Sequence, residues 1–238
     1  MKFNLSKIKF SRNDLNSNIK IPKTITKELA EFLGIMIGDG HIGKYTKNSK
    51  NNSYTHYELR ICGNSRDKDY LETYVNNLFK KIFNASFSFL LNKRDNTLIL
   101  RKNSKAIYYF LNKLVKIPSK KDKVSIPDFV MKGSKEIKSA FLRGLADADF
   151  CLTVKNTKKY PVINGTSKSG ILIEQCSKIL NELGIKNNTQ LEINYYEKRK
   201  ATYPSYRVYI NGFSRVEKFL KMVGFRNQLK IDNYRKLL

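Results

Sequence analysis

Acidic residues are scarce in this chain: 20 Asp and Glu stand against 46 Lys and Arg, a formal charge of +26 over 238 residues. So one-sided a protein repels itself unless a polyanion neutralises it, which makes nucleic acid the natural partner. The basic residues are spread along the whole length and not gathered beside an apolar helix, which argues against an anionic membrane surface. A generally Lys-rich composition would raise the charge without any function, so charge alone leaves the class open. Histidine is rarer still: His41 and His56 are the only two, too few for a histidine-built metal site. The three cysteines, Cys62, Cys151 and Cys176, are odd in number and far apart. They show no CxxC spacing for zinc or thiol redox work, which implies a reducing compartment. No apolar run approaches the length of a membrane span, and Met1 to Lys7 lacks the apolar centre of a signal peptide. The expected location is cytoplasmic in a prokaryote, or inside an organelle.

What is present points to an ordered protein, since 41% apolar and 12% aromatic residues suffice for a packed core. One stretch occurs twice. Phe32-Leu-Gly-Ile-Met-Ile-Gly-Asp-Gly40 is matched by Leu142-Arg-Gly-Leu-Ala-Asp-Ala-Asp-Phe150. Each ends a helix-like run in an acid, Asp39 or Asp149. Each places small residues four apart before it, Gly34 and Gly38 in one and Gly144 and Ala148 in the other. Residues four apart share a helix face, so each helix presents a smooth stripe that lets two backbones approach closely and makes the acids neighbours.

The elements around the two stretches repeat as well. Residues 1–23 give no firm secondary structure and are expected to form an extension, either an arm on nucleic acid or an edge piece. Thr24 or Thr26 caps the first motif helix, and Gly40 and Gly43 end it. Strands follow over 41–47 and 54–62, then a helix over 66–83, a hairpin over 87–91 and 97–101, and a helix over 104–115. Residues 116–133, with Pro118, Pro127 and a Lys run, read as a linker. The order then recurs: Ser134 caps the second motif helix, 151–154 and 162–166 are strands, 168–183 a helix stopped by Gly184, 191–196 and 206–210 a hairpin, and 213–223 a helix. Asp39 to Phe110 spans 71 residues and Asp149 to Phe219 spans 70. Two αββαββα units, 24–115 and 134–238, are thereby implied, related by a pseudo-twofold axis on which the motif helices lie.

Two carboxylates at the C-terminal ends of adjoining helices are unfavourable on their own, because helix ends carry partial negative charge and like charges repel. A divalent cation relieves both penalties. Mg²⁺ suits such oxygen donors and completes its shell with water and phosphate oxygens. Asp147, two residues earlier, points to another helix face and reads as a structural polar contact.

In these residues the chain resembles the monomeric, two-motif LAGLIDADG homing endonucleases, and is similar to archaeal and bacterial intron-encoded members. The shared layout covers about residues 24 to 225. The resemblance implies an α+β fold in which two antiparallel four-stranded sheets form a saddle with the motif helices packed at its centre. It implies a site-specific enzyme that hydrolyses both strands of a long duplex DNA target as a monomer, without a protein partner. The implied cofactor is Mg²⁺, with Mn²⁺ or Ca²⁺ able to replace it for binding. Asp39 and Asp149 would be the catalytic acids, and Asp39, Asp149, Gly38 and Ala148 the metal-binding positions. Lys168, in Thr166-Ser-Lys-Ser169, stands where members place a basic or polar residue near the cut; the first-half equivalent is Asn64. Outward side chains on the strands would meet DNA: Lys44, Lys47, Arg60, Lys93, Arg94, Arg101, Lys155, Lys158, Lys198, Arg199, Arg207 and Tyr209. Two departures stand out. Asn64 replaces a frequent Lys, and Phe150 replaces a Gly that would leave the helix with φ above zero, so that either the turn takes another geometry or Asp149 is displaced and cleavage in that half weakened. They keep open an alternative on the same fold: an RNA-binding maturase acting on intron RNA, or a nicking or non-cleaving DNA-binding relative.

Overall fold

The computed structural model describes residues 2–48, 53–118, 121–155, 160–197 and 200–237. In chain order the elements are α1 (Arg12–Asn16), α2 (Lys27–Gly38), β1 (Gly40–Asn48), β2 (Ser53–Asn64), α3 (Asn76–Phe83), β3 (Ser88–Asn92), β4 (Thr97–Asn103), α4 (Lys105–Tyr109) and α5 (Asp128–Met131). The second half supplies α6 (Lys135–Asp149), β5 (Phe150–Lys155), β6 (Tyr160–Ser167), α7 (Gly170–Glu182), β7 (Asn188–Tyr196), β8 (Ala201–Asn211), α8 (Phe213–Met222) and α9 (Gln228–Arg235). Two antiparallel four-stranded sheets result, ordered β1-β2-β4-β3 and β5-β6-β8-β7. They are the same topology twice, the α+β saddle of two pseudo-symmetric units.

The motif helices α2 and α6 form the keel. A run of α2 from Leu29 to Ile37 is buried without a break, as expected of a helix walled by protein on all sides. Thr26 caps it, its hydroxyl accepting from Leu29 N at 3.2 Å. Ser134 holds the N-cap position of α6 but makes no side-chain capping bond. The small residues set the crossing. A Cβ on Gly34 would run into the Phe141 carbonyl oxygen, and one on Gly144 into the Glu31 carbonyl oxygen. The backbones thus touch at both glycines, and Gly38 leaves room for the Ala148 Cβ one turn further on. One cluster of buried apolar side chains runs through both halves, from Ile19 to Tyr234. Removing a large member such as Phe32, Phe110 or Phe219, each fully buried, would cost about 3–5 kcal/mol.

Several expectations need correction. Residues before α2 are no free arm: Lys2 bridges Thr24, and the Phe3 ring meets Phe110 and Phe129 edge-on at 5.5 and 5.2 Å. Asp14, buried, accepts from the Ser104 hydroxyl at 2.7 Å and from Ala106 N at 3.2 Å. The 66–83 helix is a π-helical turn over Tyr70–Val75 running into α3, and 104–115 likewise passes from α4 into a π turn over Phe110–Leu114. Gly40 opens β1 with no positive φ; it is small because a Cβ would strike Met36. The linker holds a 3-10 turn over Lys121–Lys123 as well as α5. Nothing in the periodicity pointed to α9, whose apolar pattern is weak. Among the described residues no helix is long and apolar enough to cross a membrane.

Candidate active site

The two motif helices deliver their acids side by side on the saddle side of the crossing. Asp39 is the C-cap of α2 and Asp149 the last residue of α6. Burial at the crossing pushes the Asp39 carboxyl up to about 7, with the Asp149 charge adding to the effect. Asp149 keeps more solvent contact, and the desolvation that remains raises it too. Phe150 leaves the helix in an extended conformation, φ −99° and ψ 142°. The departure from Gly therefore does not displace the turn: the ring stacks on Phe219 at 6.4 Å and fills the space that Gly165, its cross-strand partner, leaves open.

Two lysines complete the pattern. Lys121 Nζ donates to the carbonyls of Ile37 at 2.6 Å and Gly38 at 2.7 Å. Lys230 Nζ donates to those of Ala146 at 2.8 Å and Phe150 at 2.6 Å. Carbonyls in the last turn of a helix lack intrahelical partners, and the helix dipole favours a cation there. Burial lowers both ammonium groups, while Asp149 and Asp39 hold Lys121 up and Asp147 and Asp39 hold Lys230 up. These residues escaped the reading of the motifs. Lys121 stands in the linker run and Lys230 on α9, which the periodicity does not predict, yet a signal for both is present. Lys121 follows Asp39 by 82 residues and Lys230 follows Asp149 by 81, in the register of the repeat.

Asp147 turns to the other face, where its carboxylate accepts from Arg226 N at 2.9 Å and Asn227 N at 3.0 Å. It anchors the start of α9 and so places Lys230. Burial raises its carboxyl to about 6 against those two donors.

The remaining candidates divide. Lys168 lines a cleft of about 570 Å³ together with Gly38, Lys121, Asp149 and Tyr203, and its Nζ lies 5.6 Å from the Tyr203 ring centroid. Asn64 is spent locally, its side chain accepting from Arg66 N at 2.9 Å as a cap. The carbonyls that Lys230 holds flank Ala148 and do not include it.

On the sheets, strand parity decides what can face the saddle. Lys47, Arg60 and Arg101 share the face of His41, opposite the core side chains Ile42, Leu59 and Ile61. Lys44 lies on the other face, with Ile42, its Nζ 6.0 Å from the Tyr57 ring centroid; Lys44 and Lys47 are an odd number apart and cannot point the same way. Lys93 and Arg94 sit exposed in the β3–β4 turn. Lys155 pairs with Tyr160 on the saddle face of the second sheet. Arg207 there binds Glu192 at 2.8 Å, and the Tyr209 hydroxyl donates to the same carboxylate at 3.2 Å. Lys158, Lys198 and Arg199 fall outside the described residues.

The donor set fits a hard divalent cation. Two carboxylates and helix-end carbonyls offer only oxygen, as Mg²⁺, Mn²⁺ and Ca²⁺ prefer. No group of three or more His, Cys, Asp or Glu that could hold a metal exists among the described residues, so water and a substrate phosphate would have to complete the shell. Lys121, set on the Gly38 carbonyl, already occupies the place with a positive charge.

Residues 136–224 match the family model of the LAGLIDADG-like domain. Among solved structures the chain is similar to I-DmoI in complex with DNA and Mn, with a TM-score of 0.56 and 23% identity, covering 83% of this chain and 96% of that one. It is also similar to the I-LtrWI LAGLIDADG homing endonuclease bound to target DNA, with a TM-score of 0.53 and 16% identity over 89% and 88% of the two chains. Among curated proteins it is 30% identical over 231 residues to glutamine–fructose-6-phosphate aminotransferase of Methanocaldococcus jannaschii, matching 91% of this chain but 19% of that protein. It is 30% identical over 203 residues to a DNA polymerase of Thermococcus sp., matching 84% of this chain and 11% of that one. The chain thus spans between about a tenth and a fifth of the length of these relatives.

Proposed function

From a chain that carries a LAGLIDADG-like domain on the fold of the two-motif LAGLIDADG homing endonucleases, we propose a site-specific, metal-dependent DNA endonuclease that cuts both strands of a duplex. The observation that carries this reading is the pair Asp39 and Asp149, brought together by two crossing helices, each with a lysine bonded to carbonyls at its helix end. The relatives support it from outside. I-DmoI has been solved with DNA and Mn and with DNA and Ca, and the curated relatives share this segment while bearing names of unrelated activities, as an inserted module would.

In this reading the duplex lies along the saddle, and the concave faces of both sheets meet its grooves. Lys47, Lys155 and Arg207 supply positive charge that draws in phosphates. Asp39 and Asp149, with the Ala148 carbonyl, would hold Mg²⁺, while the Gly38 carbonyl stays with Lys121 Nζ. A cation bound there would supply Lewis-acid activation of water and charge stabilisation at the phosphate. The chain's own groups do the rest. The glycine crossing fixes the two carboxylates in one geometry, so that each addresses one strand. Lys121 and Lys230 tie down the helix ends and bring positive charge to the place where the phosphate becomes more negative. Lys168 reaches the same cleft only in the second half.

The test is to enrich duplexes from a randomised pool in Ca²⁺, then transfer the bound fraction to Mg²⁺ and map the ends. Double-strand breaks abolished by EDTA are expected. Asp39→Asn should retain the duplex and leave one strand intact. Equal cutting of both strands by that variant would remove Asp39 from the chemistry.

A further inference from the structure

Arg60 and Arg101 stand directly opposite each other on β2 and β4, on the saddle face of the first sheet. Like charges so placed repel, and the chain as a whole carries +26. Glu58 resolves the conflict. It lies two residues from Arg60 on the same face, and each of its oxygens takes one partner, Oε1 pairing with Arg60 Nε and Oε2 with Arg101 Nε at 3.0 Å. The Glu58 side chain is 9% exposed, whereas the arginines keep 36% and 38% of theirs. Opposite Glu58 on β1 is Gly43, over which the Tyr45 ring folds with its hydroxyl 3.0 Å from His41 Nε2.

An acid on a DNA-facing surface ordinarily works against binding. Here it is sunk beneath the two guanidinium groups and cannot reach a base or a phosphate ahead of them. Each guanidinium lies closest to the carboxylate at its Nε, as an ion pair without hydrogen-bond geometry there, which leaves the terminal Nη edges, the fork that matches guanine O6 and N7, for an outside acceptor. Neighbouring strands lie about 4.8 Å apart, within the reach of two long side chains converging on bases stacked about 3.4 Å apart. The cluster is also near the acids, since Cys62, two residues beyond Arg60, donates its backbone N–H to the Asp39 carbonyl at 3.2 Å. The second sheet offers a contrast, because Glu192 holds a single arginine, Arg207, beside Tyr209.

Resting on the endonuclease reading above, we propose that Glu58 is a positioning residue for sequence recognition: it sets Arg60 and Arg101 as a paired reader of two neighbouring guanines in the major groove beside the cut. The test uses the whole chain, a randomised duplex pool in Ca²⁺ and binding isotherms on the enriched duplex and its single-base variants. Wild type is expected to prefer guanine at two neighbouring positions. Glu58→Gln should lower that preference about tenfold at each, while its mean affinity for the unselected pool and the slope of log Kd against log salt stay unchanged. Arg101→Gln should erase the preference at one of the two positions only, and decides the matter if Glu58→Gln does not fold by circular dichroism. Folded Glu58→Gln with wild-type base preference overturns the proposal. So does Arg101→Gln that weakens all duplexes alike and lowers the salt slope by about one, the mark of a phosphate contact. Failure of wild type to enrich any duplex overturns the endonuclease reading instead, and is told apart because no variant is needed to see it.

Discussion

The two motif ends reach the same geometry with opposite residues. In the first half Gly40 follows the acid and faces Ile61 across the strand pair; in the second, Phe150 follows it and faces Gly165. Small and large have changed places across the ladder, and the space between β-strand pair and motif helix is filled either way. The cation at the helix end is kept in both, Lys121 on Ile37 and Gly38, Lys230 on Ala146 and Phe150. The residue kinds are free to vary while the volume and the charge at each end are not. Where the halves do differ is in what surrounds the acid: Asp39 is more enclosed, and only Asp149 has a lysine of the Lys168 kind in its cleft.

The largest expected effect tests whether each acid serves one strand. Asp39→Asn and Asp149→Asn should each slow cleavage of a different strand about a thousandfold, which is about 4 kcal/mol of barrier, with duplex binding retained. End-labelled substrates read the two strands separately. Loss of both strands together in either variant would break the picture of two half-sites.

Next comes the exchange of volume. Phe150→Ala should cost about 3 kcal/mol of stability in a chemical melt. In the Gly165→Val background the loss should shrink, because the new side chain enters the vacated space. A coupling of about 1–2 kcal/mol in the double-mutant cycle is expected, and additivity would show that the two positions do not share one space.

Much of this was legible beforehand, and the reasons are physical. Small residues four apart imply close helix contact wherever two such stripes exist, so Gly34 and Gly144 announced the crossing. Alternation along β2 showed a two-faced sheet, although Glu58 lies buried beneath arginines on the face expected to be wet. Phe150 leaves two outcomes open in the sequence, another turn geometry or a displaced Asp149, and the chain takes the first, leaving α6 extended with its room supplied by Gly165. Lys121 and Lys230 were hidden among 46 basic residues; only their common distance from the acids marks them, and such a signal needs the register of the repeat first.

A third comparison concerns pH. The Asp39 carboxyl, at about 7 in the folded chain against an ordinary value of 3.8, binds its proton more tightly folded than unfolded. Its contribution favours the fold at low pH and is lost as pH rises from about 4 to about 7. In EDTA, wild type should therefore lose on the order of 2 kcal/mol more between pH 5 and pH 8 than Asp39→Asn does. Asp149→Asn should flatten the profile less, since a more solvated carboxylate has less to lose by ionising. Equal flattening by the two variants would remove the asymmetry of burial.

The smallest effect should come from the one lysine without a counterpart. Lys168→Ala is expected to slow one strand about tenfold, about 1.4 kcal/mol, because it removes a charge from the Asp149 cleft without touching either acid. The strand should be the one that Asp149→Asn protects. Asn64→Ala, by contrast, should leave both strands within about twofold, since its side chain caps a turn at a cost of about 1 kcal/mol of stability. If Lys168→Ala instead slowed both strands equally, the lysine would act by drawing in the duplex as a whole, and the two half-sites would differ in burial alone.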